Sequence, residues 1–464
     1  MTNGERIVPG FSIDGNNGAW REQLTEEQRE RPTLAATQKA VDEIDELYRE
    51  QFNPNALYPA NVSNEHIKQA AVENPAIFSP YTIVKNENGK LIALPYYVVF
   101  GDKLEEVAKW IDAARISTQN SEFRDYLGNV MNELMYGEEY REKTLESWLS
   151  MREEPPVDFL GVFSDRYDDK RFGKKFAPQA WTGTIDRQTT NDLQDFTNKQ
   201  LVIWKDEFAP EGLFVNTNMR LRAQRLSWFG GLARAISGFN SPRRGWSANN
   251  QPSEIALRSK YGSKITLFLD SLEDYARFNK IPVLRKIIPT GTRRGWSEED
   301  LVMAGNLLLA SHEPSHSLIR RPGDEERLGN TYSTMNEMYS TSLGLAILGR
   351  RDDIPEETKN AILAMHFATT VTDLIEFDKN KKRIDYLRGG VIIFNTLIER
   401  KAIAIDTSGQ IRWDDSRKIF EVLREQAVAL EQLIARGDKG MARRWQQADG
   451  KLDNVRSLAP IRAA

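Results

Sequence analysis

The chain has no cysteine among its 464 residues. Disulfides, thiol nucleophiles and thiolate metal ligands are thereby excluded, so any metal must be held by histidine, aspartate or glutamate. Histidine itself is scarce, with four in the whole chain. No stretch approaches the roughly 18 apolar residues of a membrane-spanning helix, and the opening "MTNGERIVPGFSIDGNNG" has no basic segment leading into an apolar one. A soluble, cytoplasmic protein is expected. An excess of positive charge is also missing, since 63 Lys and Arg stand against 67 Asp and Glu for a net charge of -4. With both signs interspersed, neither nucleic acid nor an anionic membrane is implied as a partner, and the oligomeric state is left open.

What is present is globular composition, 40% hydrophobic and 28% charged, enough for two domains or one large two-lobed unit. Residues 1–32 are polar and rich in Gly and Asn, reading as an extended arm, and the ordered body is expected from Thr33. "TLAATQKAVDEIDELYREQF" then carries apolar residues at helical spacing, at Ala40, Ile44, Leu47 and Tyr48. In "YTIVKNENGKLIALPYYVVF", β-branched and aromatic runs flank Asn88-Gly89, a dipeptide suited to a tight hairpin turn. Helical periodicity follows in "KLEEVAKWIDAARIS" and "EFRDYLGNVMNELMYG", and "SKITLFLD" reads as a buried strand. After Ser297 nearly everything reads as helix, to about Val455. One short repeat, "RRGWS", occurs at 243–247 and 293–297; Ser297 with the following "EED" reads as a helix N-cap, and the repeat is assigned no function.

Chemistry concentrates in "LLLASHEPSHSLIRR". His312 and His316 stand four apart, which on a helix puts both imidazoles on one face a turn apart, with Glu313 beside them. Two neutral imidazoles so placed can hold Zn²⁺ while the adjacent carboxylate acts as general base toward a water. The plainer alternative is a helix whose histidines find ordinary hydrogen bonds. A third ligand is offered by Glu337, with twenty residues between it and His316, in a string Asn336-Glu337-Met338-Tyr339-Ser340 that resembles the Asn-Glu-x-x-Ser segment of thermolysin-like peptidases. Two features oppose the match. Pro314 removes a backbone donor and presses on the Ala310 carbonyl, so a kink or bulge is expected in the ligand helix. Thr341 stands where related peptidases carry a carboxylate that orients a ligand histidine, so another group, Asp373 or Glu376, is expected to substitute.

The wider sequence resembles the dipeptidyl peptidase III family of zinc metallopeptidases (peptidase family M49). The resemblance runs through "ALYPANVSNEHIKQA", "SPYTIVKNENGKLIALPYYVVFGDKLEEVAKWIDAARISTQN", "VDFLGVFSDRYDDKRFGKKF", "NNQPSEIALRSKYGSKITLFLD", the two zinc segments and "GVIIFNTLIERKAI". It implies an α+β fold with two lobes around a cleft, one mostly helical and carrying one zinc ion, the other built on a small β-barrel with helices. The composition shift near Ser297 agrees. The expected division is 33–185 with 236–285 for the mixed lobe, and 186–235 with 286–464 for the helical lobe.

By the same resemblance His312, His316 and Glu337 fall on the zinc ligands and Glu313 on the catalytic glutamate, although two residues stand between Glu313 and His316 here where many members have three. In "SDRYDD", Asp165 and Tyr167 fall where the family has a glutamate and a tyrosine that bind the substrate's amino end and polarise its carbonyl. In "NNQPSE", Asn250 matches one of two asparagines that hold the peptide N-terminus, and Ser253 replaces the other. The family's oxyanion histidine has no counterpart in "RIDYLRGG". Tyr386 or Arg388 is chemically suited to that task, while the plainer readings are a packed aromatic and a surface cation. His366 reads as a satisfied core histidine and His66 as an exposed first-turn residue. Three functions stay open: a zinc dipeptidyl peptidase acting on short peptides, a zinc hydrolase of another amide, ester or small metabolite, and a binding protein on the same scaffold. Metal content separates the last from the others; blocked and non-peptide substrates separate the first two.

Overall fold

The computed structural model describes residues 26–166, 168–208, 218–237, 241–318, 323–380, 384–448 and 451–458. The chain packs as two compact units, Met1–Ile185 with Gln224–Trp246 and Asp186–Ala223 with Ser247–Ala464.

In the first unit, helix α1 (Glu26–Glu46) buries Ala40 and Ile44 completely, as anticipated from their spacing, together with Val41. It begins before Thr33, however: residues 26–32 of the expected arm form its first turns, and 1–25 lie outside the described residues. Tertiary hydrogen bonds hold that early start, because the Glu30 carboxylate accepts the Gln119 N–H at 3.1 Å and the Thr33 hydroxyl lies 3.1 Å from that of Ser117. Strands β1 (Thr82–Glu87) and β2 (Lys90–Pro95) form the expected hairpin, with Glu87 opposite Lys90 and a two-residue turn whose φ angles are 52° at Asn88 and 87° at Gly89. Such positive values match the turn to the strand twist. Helices α2 (Gly101–Ser117) and α3 (Ser121–Tyr136) follow where their periodicity places them. Strands β3 (Val157–Asp165), β4 (Ala177–Ile185) and residues 224–231 of β5 (Met219–Gly231) then pair in the order β3-β4-β5. The small β-barrel expected here is a correction: among the described residues the strands form open ladders and no closed barrel. Helix α1 packs on β3 and β4, covering apolar strand surface that closure of the sheet on itself would otherwise bury.

The second unit opens with α4 (Arg187–Glu207), capped by the Asp186 carboxylate, which accepts the Thr189 N–H at 3.0 Å. Strands β6 (Ala248–Gln251) and β7 (Ser263–Phe268) pair antiparallel around a short helix α5 (Ile255–Tyr261), and β7 is buried throughout, as "SKITLFLD" suggests. The helical series is α6 (Glu298–Leu318), α7 (Tyr332–Gly349), α8 (Glu356–Asn380), α9 (Ile384–Glu399) and α10 (Ser416–Arg436). A hairpin of β8 (Ala404–Ile405) and β9 (Ile411–Arg412) interrupts a stretch that reads in sequence as nearly all helix. Its turn is held by Asp406, whose carboxylate accepts the N–H groups of Ser408 and Gln410, the local bonding that makes Asp a turn residue. α7 is the core of the unit, packing on α6, α9 and α10 with Met335, Met338, Leu343 and Leu348 buried. Each such side chain removed from water contributes about 1.5–3 kcal/mol. The unit boundaries differ from the expected 235/236 and 285/286: β6 and β7 pack against α6 and so belong with the helices.

Candidate metal centre

A reciprocal cap opens the ligand helix. Ser297 Oγ accepts the Asp300 N–H at 3.0 Å and the Asp300 carboxylate accepts the Ser297 N–H at 2.9 Å, satisfying two donors that a helix start leaves open. α6 then runs to Leu318 with Pro314 inside it, and no bulge interrupts the helix where a kink or bulge was expected. The turns around the proline are held by side chains. The Ser311 hydroxyl donates to the Leu307 carbonyl at 2.7 Å and accepts from Gln200 Nε2 at 2.9 Å, and the Ser315 hydroxyl donates to the Ser311 carbonyl at 2.8 Å. α7 crosses α6 closely because residue 344 is glycine. A Cβ there would stand 2.7 Å from the Ser311 carbonyl oxygen and 3.2 Å from the His312 nitrogen.

This crossing brings Glu337 of α7 to the two histidines of α6. The Nε2 atoms of His312 and His316 are 2.9 Å apart, and Glu337 Oε2 lies 3.2 Å from the first and 3.5 Å from the second. The three side chains are 13, 11 and 13% exposed, enclosed yet reachable from solvent. Four ligand atoms arranged tetrahedrally at zinc's usual bond lengths of about 2.0–2.2 Å sit roughly 3.3 Å from one another, so this spacing suits a divalent ion. Polar satisfaction points the same way. Glu337 Oε2 is buried and faces both rings without a well-aligned hydrogen bond among the described residues, and two ring nitrogens facing each other can share at most one proton between them. Burial pushes the Glu337 carboxyl up, but the charge of His316 and the contacts with both rings outweigh it and hold the group well below the usual carboxylate range. For His312 burial acts downward, and its contact with Glu337 reverses the sign and raises it. Both directions follow from one buried carboxylate set against two imidazoles. The residues therefore fit a divalent metal ion such as zinc, which His312, His316 and Glu337 would hold.

The far nitrogen of each ring is also held. His312 Nδ1 lies 3.0 Å from the Thr341 hydroxyl, while His316 Nδ1 lies 2.8 Å from the Ser340 hydroxyl and 3.0 Å from the Asn336 amide. An Nδ1–H donating to a hydroxyl leaves the Nε2 lone pair directed at the common point. Thr341 thus occupies the position for which Asp373 or Glu376 was expected, since on a helix residue 341 lies one turn beyond Glu337 on the same face. The sequence signal for these orienting groups was the spacing of Ser340 and Thr341, three and four residues after Glu337.

Glu313 is half-buried beside the rings. Its backbone carbonyl accepts from Asn250 Nδ2 at 2.8 Å, and the same nitrogen donates to the Ser317 hydroxyl at 2.9 Å. Asn250, matched in sequence to a substrate-holding asparagine, therefore grips the ligand helix across Pro314. Arg258 of α5 braces the next turn, donating to the His316 carbonyl at 3.2 Å and, through Nε and Nη2, to the Pro252 carbonyl at 3.0 and 2.6 Å. Burial pushes its guanidinium down to about 10, against the opposing pull of Glu254 and Glu313. Ser253 is exposed and donates to the Glu254 carboxylate at 3.3 Å. Tyr386 and Arg388 are each exposed on α9, whose Gly389 approaches the Met338 backbone next to Glu337. Asp165, at the end of β3 in the first unit, accepts from Gln179 Nε2 at 2.6 Å, and Tyr167 lies outside the described residues. His366 is buried on α8 as expected but not satisfied, since its Nε2 has no hydrogen-bond partner among the described residues; burial pushes its imidazole down to about 4. His66 is exposed in the first turn of its helix.

No family model matches the chain, and no curated protein matches it. Solved structures do. The structure of DPP III from Caldithrix abyssi aligns at a TM-score of 0.77 and 18% identity over 95% of this chain and 93% of that one. The structure of dipeptidyl-peptidase III from Corallococcus sp. strain EGB aligns at 0.77 and 16% identity over 94% and 90%. The chain has a dipeptidyl peptidase III-like fold.

Proposed function

We propose that this protein is a zinc-dependent hydrolase of the dipeptidyl peptidase III type, acting by default on short peptides near their amino ends. The observation that carries the reading is the convergence of His312 Nε2, His316 Nε2 and an otherwise unsatisfied Glu337 Oε2 within 3.5 Å of one another. A zinc ion held there supplies Lewis acidity, which makes water a nucleophile at neutral pH and polarises a carbonyl. Glu313 takes the proton from the attacking water and returns it to the leaving amine, the two proton transfers that amide cleavage requires. Thr341, Ser340 and Asn336 keep the imidazoles in the ligating orientation. Tyr167, with Tyr386 or Arg388, donates to the oxygen that gains negative charge. Asp165, Asn250 and Ser253 are assigned to the amino end of the substrate.

A second reading keeps the metal and changes the substrate to another amide, an ester or a small metabolite. It is favoured by Asn250 Nδ2 being engaged with Glu313 and Ser317, and by Ser253 facing Glu254, which leave the ammonium grip weaker than two asparagines would make it. The test is metal content together with kcat/KM on dipeptidyl arylamides, N-blocked peptides and non-peptide esters. About one zinc per chain, lost in Glu337→Ala, with preference for free amino ends supports the first reading. Zinc with preference for blocked or non-peptide substrates supports the second, and a metal-free, inactive protein refutes both.

A further inference from the structure

The two "RRGWS" copies are used differently. Trp246 of the first is buried against Trp181, ring centroids 5.7 Å apart, within the first unit. Trp296 of the second copy is only half-buried and lines a cavity of about 400 Å³ together with Trp413, Glu357, Asn360, Asp414 and Asp415. Trp296 lies sixteen residues before His312, and α6 between them rises about 1.5 Å per residue. The cavity is therefore at the opposite end of the ligand helix from the metal centre, and the proposed hydrolase makes no use of it.

Its walls have a consistent chemistry. Trp413 is fixed in place: its indole N–H donates to Asn360 Oδ1 at 2.8 Å and its ring packs on Phe367, centroids 5.8 Å apart. Gly295 has φ of +104°, and a Cβ there would come 3.1 Å from Glu357 Oε1, so glycine in this copy of the repeat lets that carboxylate close on the loop that carries Trp296. Of the three acids, Asp415 is already matched by Arg417 at 3.0 Å. Glu357 and Asp414 have no hydrogen bond or ion pair among the described residues, and no described cation stands over either indole. An anion would be repelled by the two carboxylates, and a neutral apolar ligand would strip them of water without replacing it. A bare metal ion would leave the indoles unused. A cation on an alkyl stem satisfies both kinds of wall, its charge facing carboxylates and π faces and its methylenes lying on the rings.

We propose that this cavity binds a primary alkylammonium group. The source is a free diamine or the side chain of a lysine in a peptide, and the two are distinguished by the probes. The experiment is titration calorimetry on the full-length, zinc-loaded protein with cadaverine, with Nα-acetyl-lysine amide and with neutral Nα-acetyl-norleucine amide. Binding of one equivalent of either cation, with the neutral analogue at least ten-fold weaker, is expected. Cadaverine alone marks the free amine as the ligand, and acetyl-lysine amide marks the side chain. The double variant Glu357→Gln/Asp414→Asn changes two exposed side chains, and Trp296→Leu keeps an apolar side chain while removing the π face; each weakens the cation at least ten-fold, with zinc content and melting temperature reporting that the fold is intact. No binding by either cation, equal binding of the norleucine analogue, or unchanged affinity in both variants overturns the proposal.

Discussion

At the scale of single residues, the proposed metal centre assigns some groups to hold the ion, some to orient the rings and Glu313 to react. Glu313→Gln preserves side-chain size but cannot accept a proton, so zinc stays bound while kcat falls by roughly 10²-fold or more; metal analysis and turnover on the same preparation check this. Thr341→Val and Ser340→Ala each remove a hydroxyl from a ring Nδ1. Each is expected to weaken zinc by about 10–100-fold, read by competition with a chelator. His366 offers a test in pH. Its imidazole titrates near 4 in the fold against an ordinary 6.5, so the folded state resists protonation that the unfolded state accepts. The stability linked to this group is complete above pH 6.5 and is lost as pH falls from there toward 4. In metal-free protein, His366→Leu is therefore expected to flatten the decline of the urea midpoint across that window. An equal decline in both proteins would show that His366 is not the group responsible.

At the scale of elements, the crossing of α6 and α7 is what makes a centre out of residues on two helices. Gly344→Ala places a methyl group 2.7 Å from the Ser311 carbonyl. The helices must separate, which costs about 1–3 kcal/mol as an overpacked contact and moves Glu337 away from the rings, so both the denaturation midpoint and zinc affinity fall. The bond from β6 to α6 gives a sharper discrimination. If Asn250 acts through the helix it grips, Asn250→Ala lowers zinc affinity and kcat together; if it acts on substrate alone, KM rises and metal binding is unchanged. Ser253→Asn addresses the substrate side, and a gain in kcat/KM on dipeptidyl arylamides would mark position 253 as part of the amino-end grip.

At the scale of the molecule, all three proposed ligands come from the second unit, so the proposed metal binding would be linked to the stability of that unit. A ligand present at 1,000 times its Kd stabilises by about 4 kcal/mol. Calorimetry with and without a chelator is expected to show an upward shift of one transition with zinc, and no such shift in Glu337→Ala. A zinc-dependent shift that survives in Glu337→Ala would place the metal elsewhere.

The sequence alone determined what depends on neighbours along the chain. The β1–β2 turn follows from Asn88-Gly89, the start of α6 from Ser297 and Asp300, and the shared face of His312 and His316 from their spacing of four, because turn dihedrals, caps and helix faces are local properties. The resemblance read from those segments agrees with the fold of the solved structures. Tertiary structure decided what depends on contacts between distant segments. Thr341 rather than a carboxylate holds His312, β6 and β7 join the helical unit, the strands stay open under α1, and Asn250 turns its amide to the ligand helix. Each of these is settled by which surfaces meet across tens or hundreds of residues, as Gly344 against Ser311 illustrates: nothing near position 344 in sequence announces that a helix backbone will lie against it.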